Sequence, residues 1–246
     1  MIIRPSGTII LMKTQLRLKL VLSFCLLGWT TPALSSAQAE SRSPLCQSVA
    51  AVVRAGDLLF IEIDNSILKR IARATAGWTN HVGMVLGQNS SGEWIVAESK
   101  LPVSQIGSLC KFVDRTNPAK IAVRRHPGLD SDPAGSNDIA ALKREAMNRL
   151  GISYDLKFNF DNDKQYCSKF VYQIYKAALG IEVGQIETLG IIMDRMKSSP
   201  TYQEDIAFWT FYYGGTIPRE QRIITPESQY RDPLLRTVLD NSNHNN

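Results

Sequence analysis

The sequence lacks any apolar stretch of the ~18–20 residues that a bilayer-spanning helix needs, which excludes a polytopic membrane protein. It has no H-E-x-x-H, no G-x-x-x-x-G-K, no G-x-G-x-x-G and no C-x-x-C, so it carries no signature of zinc, nucleotide or dithiol chemistry. Histidine is scarce, with three in 246 residues, and there are four cysteines, so a site built on either type has few candidates. No acid occurs before Glu40. What is present is ordinary: 44% hydrophobic and 21% charged residues, a globular composition rather than a disordered, collagen-like or coiled-coil one.

The acid-free beginning has its own pattern. Arg4, Lys13, Arg17 and Lys19 precede an apolar run at 20–29 (LVLSFCLLGW), and small and polar residues follow as far as Ala37, Gln38 and Ala39. A basic region, a short apolar region and an A-x-A site read as a secretory signal peptide over 1–39, starting at Met1 or Met12. The expected destination is the periplasm or cell envelope, or the medium. Taking the four leader bases from the 28 leaves 24 against 23 acids, a net charge of +1. A nucleic-acid partner thereby loses its electrostatic argument. Cys46, Cys110 and Cys167 remain, an odd number in an oxidising compartment, which implies one bridge and one free thiol.

The rest reads as one α+β domain over 56–236, with a lead-in at 40–55 and a flexible tail at 237–246. Strands are expected at 58–63, 81–86, 93–98 and 120–125, and aromatic residues suggest another at 207–213. Helices are expected near 66–75, 138–150 and 166–179, the last stopped by Gly180.

Cys167 opens that last helix, with Phe170, Val171, Ile174 and Ala178 on its inward face. Free N–H groups and the positive end of the helix dipole favour a thiolate there. A small core cysteine is the alternative, because free cysteine is among the most buried residue types. A thiolate nucleophile needs a base. His244 lies in the tail and His126 precedes Pro127, whereas His81 opens a strand. If Gly87 and Gly92 bracket the hairpin turn, His81 lies opposite Glu98, within reach of a carboxylate–imidazole bond; the alternative is a surface ion pair.

Residues 56–60 (GDLLF), 81–85 (HVGMV), 151–155 (GISYD) with Phe158, 166–171 (YCSKFV) and 225–228 (TPES) resemble the YiiX/YebB-like branch of the NlpC/P60 cysteine hydrolases. The resemblance covers about 54–235. It implies a circularly permuted papain-like fold, an antiparallel sheet or barrel packed on helices, in which the histidine strand precedes the cysteine helix. It also implies Cys167 as nucleophile, His81 as base and Glu98 as orienting residue. Tyr154 and Tyr166 flank the pattern as candidates for oxyanion or substrate binding. Relatives often carry an acid two residues after the cysteine; here it is Lys169, expected to act at the surface or on a partner. With Cys167 assigned to chemistry, Cys46 and Cys110 are expected to pair, the alternative being two unrelated thiols.

The expected activity is cleavage of an amide in a peptide or cell-wall peptide through a thioester, with no metal and no organic cofactor. Acyl transfer, thioester hydrolysis or attack on an acyl lipid by the same site is the runner-up. A non-catalytic envelope-binding module is the reading from a different class. No nucleic acid and no stable membrane span enter any of these.

Overall fold

The computed structural model describes residues 43–129 and 137–242. The expected signal peptide at 1–39 and the last four residues of the expected tail lie outside them. From the start of the described chain, α1 (Pro44–Ala50) leads to β1 (Leu58–Ile63), α2 (Ser66–Ala74), the hairpin of β2 (His81–Gln88) and β3 (Trp94–Ser99), then β4 (Ser104–Ser108). Next come α3 (Leu109–Val113), β5 (Thr116–Arg125), α4 (Asn137–Met147) and α5 (Cys167–Leu179). The remainder is β6 (Ile186–Thr188), α6 (Leu189–Arg195), α7 (Tyr202–Tyr212), β7 (Arg222–Ile224), α8 (Pro226–Tyr230) and β8 (Arg236–Asp240). No described helix is long and apolar enough to cross a membrane.

Six strands form one sheet in the order β4-β3-β2-β1-β5-β8, with every pairing antiparallel. Leu58 to Ile61 form an unbroken apolar run because β1 is central and covered on both sides. Leu58 and Phe60 face Ile139 and Leu142 of α4 and Phe170, Val171 and Ile174 of α5. Leu59 and Ile61 face Cys46 and Val49 of α1 and Leu109, Phe112 and Val113 of α3. A third cluster joins Phe158, Tyr166 and Tyr172 to α6, Trp209 and β7.

That second layer corrects the expected lead-in at 40–55. Its described part contains a helix capped by Ser43, whose hydroxyl accepts the Cys46 N–H, and it closes the back of the sheet. The expected tail is corrected too: residues 237–240 belong to β8, where Leu239 pairs with Val123. The expected strand at 207–213 is helical, part of α7. Glu204 and Asp205 sit in its first turn, where the helix dipole favours acids, and Arg70 and Arg73 of α2 clamp Asp205. β4 (SQIGS) has no counterpart among the expected strands, being a short polar edge strand with little apolar pattern.

Candidate active site

β2 begins at His81, and the residues before it are fastened one by one. Asn80 accepts the Ile63 N–H (2.8 Å) and donates to the Ile63 carbonyl (3.1 Å). The Thr79 hydroxyl donates to the Ile61 carbonyl (3.0 Å). Glu227, in the first turn of α8, accepts the N–H groups of Trp78 (3.2 Å) and Thr79 (3.4 Å). Gly77 permits that approach, since a Cβ there would lie 2.0 Å from the Glu227 carboxyl carbon.

Gly83 has a comparable part in the histidine strand. A Cβ on it would lie 2.6 Å from the Phe112 ring and 2.8 Å from a Val96 methyl. The bare backbone lets Phe112 lie beside the imidazole, with ring centroids 5.6 Å apart. Gly83→Ala is therefore expected to destabilise the fold by about 1–3 kcal/mol through overpacking, read as a lower denaturant midpoint with an unchanged slope. An unchanged midpoint would show that Phe112 is free to move away.

The hairpin register differs from the expected one. Met84 pairs with Ala97, and a bulge at Leu86 precedes the turn. Extending the pairing by one residue sets Glu98 across from Gly83 rather than from His81. The offset is two residues, so His81 and Glu98 stay on the same face as diagonal neighbours. His81 Nε2 lies 2.6 Å from Glu98 Oε2, and both side chains are buried. Glu98 also takes Arg115 on Oε2 (2.6 Å) and Lys100 on Oε1 (3.2 Å).

Cys167 is the first residue of α5 and is 5% exposed. Its N–H group and those just after it have no acceptor within the helix. The thiol interacts directly with the imidazole. Burial works against a charged ring, but the bonds to Cys167 and Glu98 outweigh it and raise the His81 pKa to about 8. Burial likewise works against a charged Glu98, and the imidazole and Arg115 outweigh it, lowering the carboxyl to about 2.

Tyr154 and Tyr166 share a small pocket with Cys167, together with Asn80, Phe158 and Ile224. The Tyr166 oxygen accepts the Ile224 N–H (3.0 Å), and its ring packs edge-on against Phe158. Burial pushes both phenols up, so each remains a protonated donor. Cys46 and Cys110 form a disulfide, with Cα atoms 5.2 Å apart, and Cys167 is a free cysteine.

Lys169 is not at the surface, which corrects its expected role. It is fully buried, and Nζ donates to the carbonyls of Asn159 and Asn162 in the loop before Cys167. The Asp155 carboxylate gathers the same loop by accepting the N–H groups of Lys157 (2.9 Å) and Asn159 (2.7 Å) and the Asn162 amide (2.7 Å). Burial pushes the Lys169 ammonium pKa down, with the nearby acids Asp155, Asp161 and Asp163 opposing it. Helical geometry does turn this side chain away from Cys167, but the folded-back loop occupies the space that a surface residue would leave to solvent. The sequence does not single out Arg115, Lys100, Phe112 or Glu227 as parts of the site. Glu227 alone carries a signal, within the TPES motif.

Comparison with known proteins places the chain in a group. Residues 52–239 match the model of a family described as permuted papain-like amidase enzyme, YaeF/YiiX, C92 family. The uncharacterized protein YiiX of Escherichia coli K12 is 31% identical over 183 residues, covering 74% of this chain and 84% of that protein. The crystal structure of YiiX from Escherichia coli O157:H7, described as a metalloprotein, superposes with a TM-score of 0.64 at 28% identity. That match covers 77% of this chain and 98% of the other.

Proposed function

Because this chain belongs to the permuted papain-like amidase family, we propose that it is a cysteine amidase working through Cys167, His81 and Glu98. The observation that carries this reading is the buried imidazole set between a thiol at a helix N-terminus and a carboxylate 2.6 Å away. The thiol proton passes to His81 before the Cys167 sulfur attacks the amide carbonyl carbon, so the attacking state holds an imidazolium. The oxyanion is met by the Cys167 N–H and the Tyr154 phenol. The C–N bond then breaks, and His81 delivers its proton to the leaving amine, giving a thioester. Water, deprotonated by His81, attacks the thioester and restores the thiol.

The related YiiX crystal structure is of a protein described as a metalloprotein. The described residues around Cys167, His81 and Glu98 do not fit a resident metal. The Glu98 carboxylate faces two cations, Arg115 and Lys100, where a metal would have to approach. Among the described residues no three His, Cys, Asp or Glu side chains gather as a metal cage.

A second reading, attack on an amide or ester of a fatty acyl group, is favoured by one observation. The Cys167 pocket shares Ile71, Phe158, Ile223 and Thr225 with an apolar pocket that continues to Leu189, Ile192, Met193, Trp209 and Tyr213. Short peptides and N-acyl amines offered side by side distinguish the two readings. In either case His81 must hold a proton for the leaving group, so activity is expected to fall as pH rises through about 8. A rate that keeps rising above pH 9 would exclude His81 as that acid.

The basic and then apolar segment at 1–39 supports export to the periplasm or envelope. Mass spectrometry of the exported protein should find Glu40 as its first residue.

A further inference from the structure

The carboxylate that holds the imidazole has partners of its own. Arg115 donates to Glu98 Oε2 at 2.6 Å, the same oxygen that His81 Nε2 approaches at 2.6 Å. Arg115 also lies 5.0 Å above the ring of Phe112, the residue that flanks the imidazole. It therefore touches both supports of His81 and neither reacting atom. A surface ion pair would not be built this way: the Glu98 side chain is only 3% exposed and Arg115 is 27% exposed.

We propose that Arg115 is a positioning residue of the Cys167–His81–Glu98 site, fixing the Glu98 carboxylate and, as a standing positive charge, limiting how firmly His81 keeps its proton. The proposal rests on the reading of the site given above. A carboxylate alone beside a buried imidazole strengthens its hold on the proton. A general acid that must also serve as a base works best when its affinity for the proton lies near the working pH. A guanidinium on the shared oxygen draws off part of the carboxylate's effect and orients what remains. The groups facing the imidazole are Cys167 from α5 and Glu98 from β3, with Arg115 and Lys100 behind Glu98. The phenols of Tyr154 and Tyr166 share the Cys167 pocket but stay protonated. Lys100 bears on the other oxygen at 3.2 Å and is more exposed, so solvent screens it more strongly.

The test is an NMR titration of the His81 ring, assigned against His81→Ala, in the full chain and in Arg115→Met, Arg115→Lys and Lys100→Met. In Arg115→Met the midpoint should move up by roughly half to one pH unit, the effect of removing one nearby cation. Arg115→Lys keeps the charge and should leave the midpoint in place while lowering kcat, because an ammonium loses the planar stacking on Phe112 that directs the single bond to Glu98 Oε2. Lys100→Met should move the midpoint less than Arg115→Met. A midpoint that stays put or falls in folded Arg115→Met overturns the proposal. If Arg115→Met does not fold, Arg115→Lys decides: wild-type kcat overturns the proposal, and reduced kcat with unchanged KM supports it. Absence of turnover in the wild-type chain would sink the amidase reading, while the titration would still decide the role of Arg115.

Discussion

Cys167→Ala is expected to lose at least about 10³-fold in hydrolysis, since removal of the nucleophile leaves only binding and oxyanion stabilisation. The fold should hardly notice. Cys167 packs beside Phe170, Val171 and Ile174, and losing one sulfur atom from the edge of that cluster costs on the order of 1 kcal/mol. The measurement pairs turnover with a melting curve. A folded Cys167→Ala protein that processes substrate at the normal rate would remove the central claim, and Cys167 would then be one more buried thiol. Cys167→Ser should behave like alanine in turnover, because a hydroxyl beside this imidazole is a far weaker nucleophile.

The imidazole is expected to have the next largest effect. His81→Ala should abolish turnover and slow alkylation of Cys167 by iodoacetamide near neutral pH, because the thiol loses the group that takes its proton. Glu98→Gln keeps the shape and an acceptor oxygen for Nε2 but removes the charge that favours imidazolium. Its loss should be smaller than that of His81→Ala, and the fall in activity on the alkaline side should begin below the wild-type value of about 8. A Glu98→Gln protein with unaltered rate and pH profile would reduce Glu98 to a partner of Arg115 and Lys100.

Much of the site is legible in the sequence because its signals are local. A cysteine followed by apolar residues at three, four and seven positions must open an inward helix face, and the structure has α5 begin at Cys167. The facing of His81 and Glu98 survives an error in register, since a shift of two residues preserves strand parity. What cannot be read depends on distant packing. Nothing local shows that α1 would cover the back of β1, or that the loop at 155–162 would fold over Lys169. The aromatic run in α7 carries strand propensity, and its helical state rests on two arginines more than 130 residues earlier in the chain. Arg115 stands alone in sequence, 17 residues from Glu98, and no spacing rule joins them.

The bridge between Cys46 and Cys110 ties the redox state of the chain to the support of the site. Cys110 belongs to α3, the helix that carries Phe112 and ends just before Arg115. The partner helix α1 is held to α3 by that bridge and by the Ser43 hydroxyl, which donates to Asp114 at 2.6 Å. The shelf beneath His81 and Glu98 is thus locked by an oxidation and not by packing alone. A chain with both thiols reduced has Cys167, His81 and Glu98 in its sequence but a looser support under them. In such a chain the Ser43–Asp114 hydrogen bond and the packing of α1 against β1 are what remain to hold α3 in place.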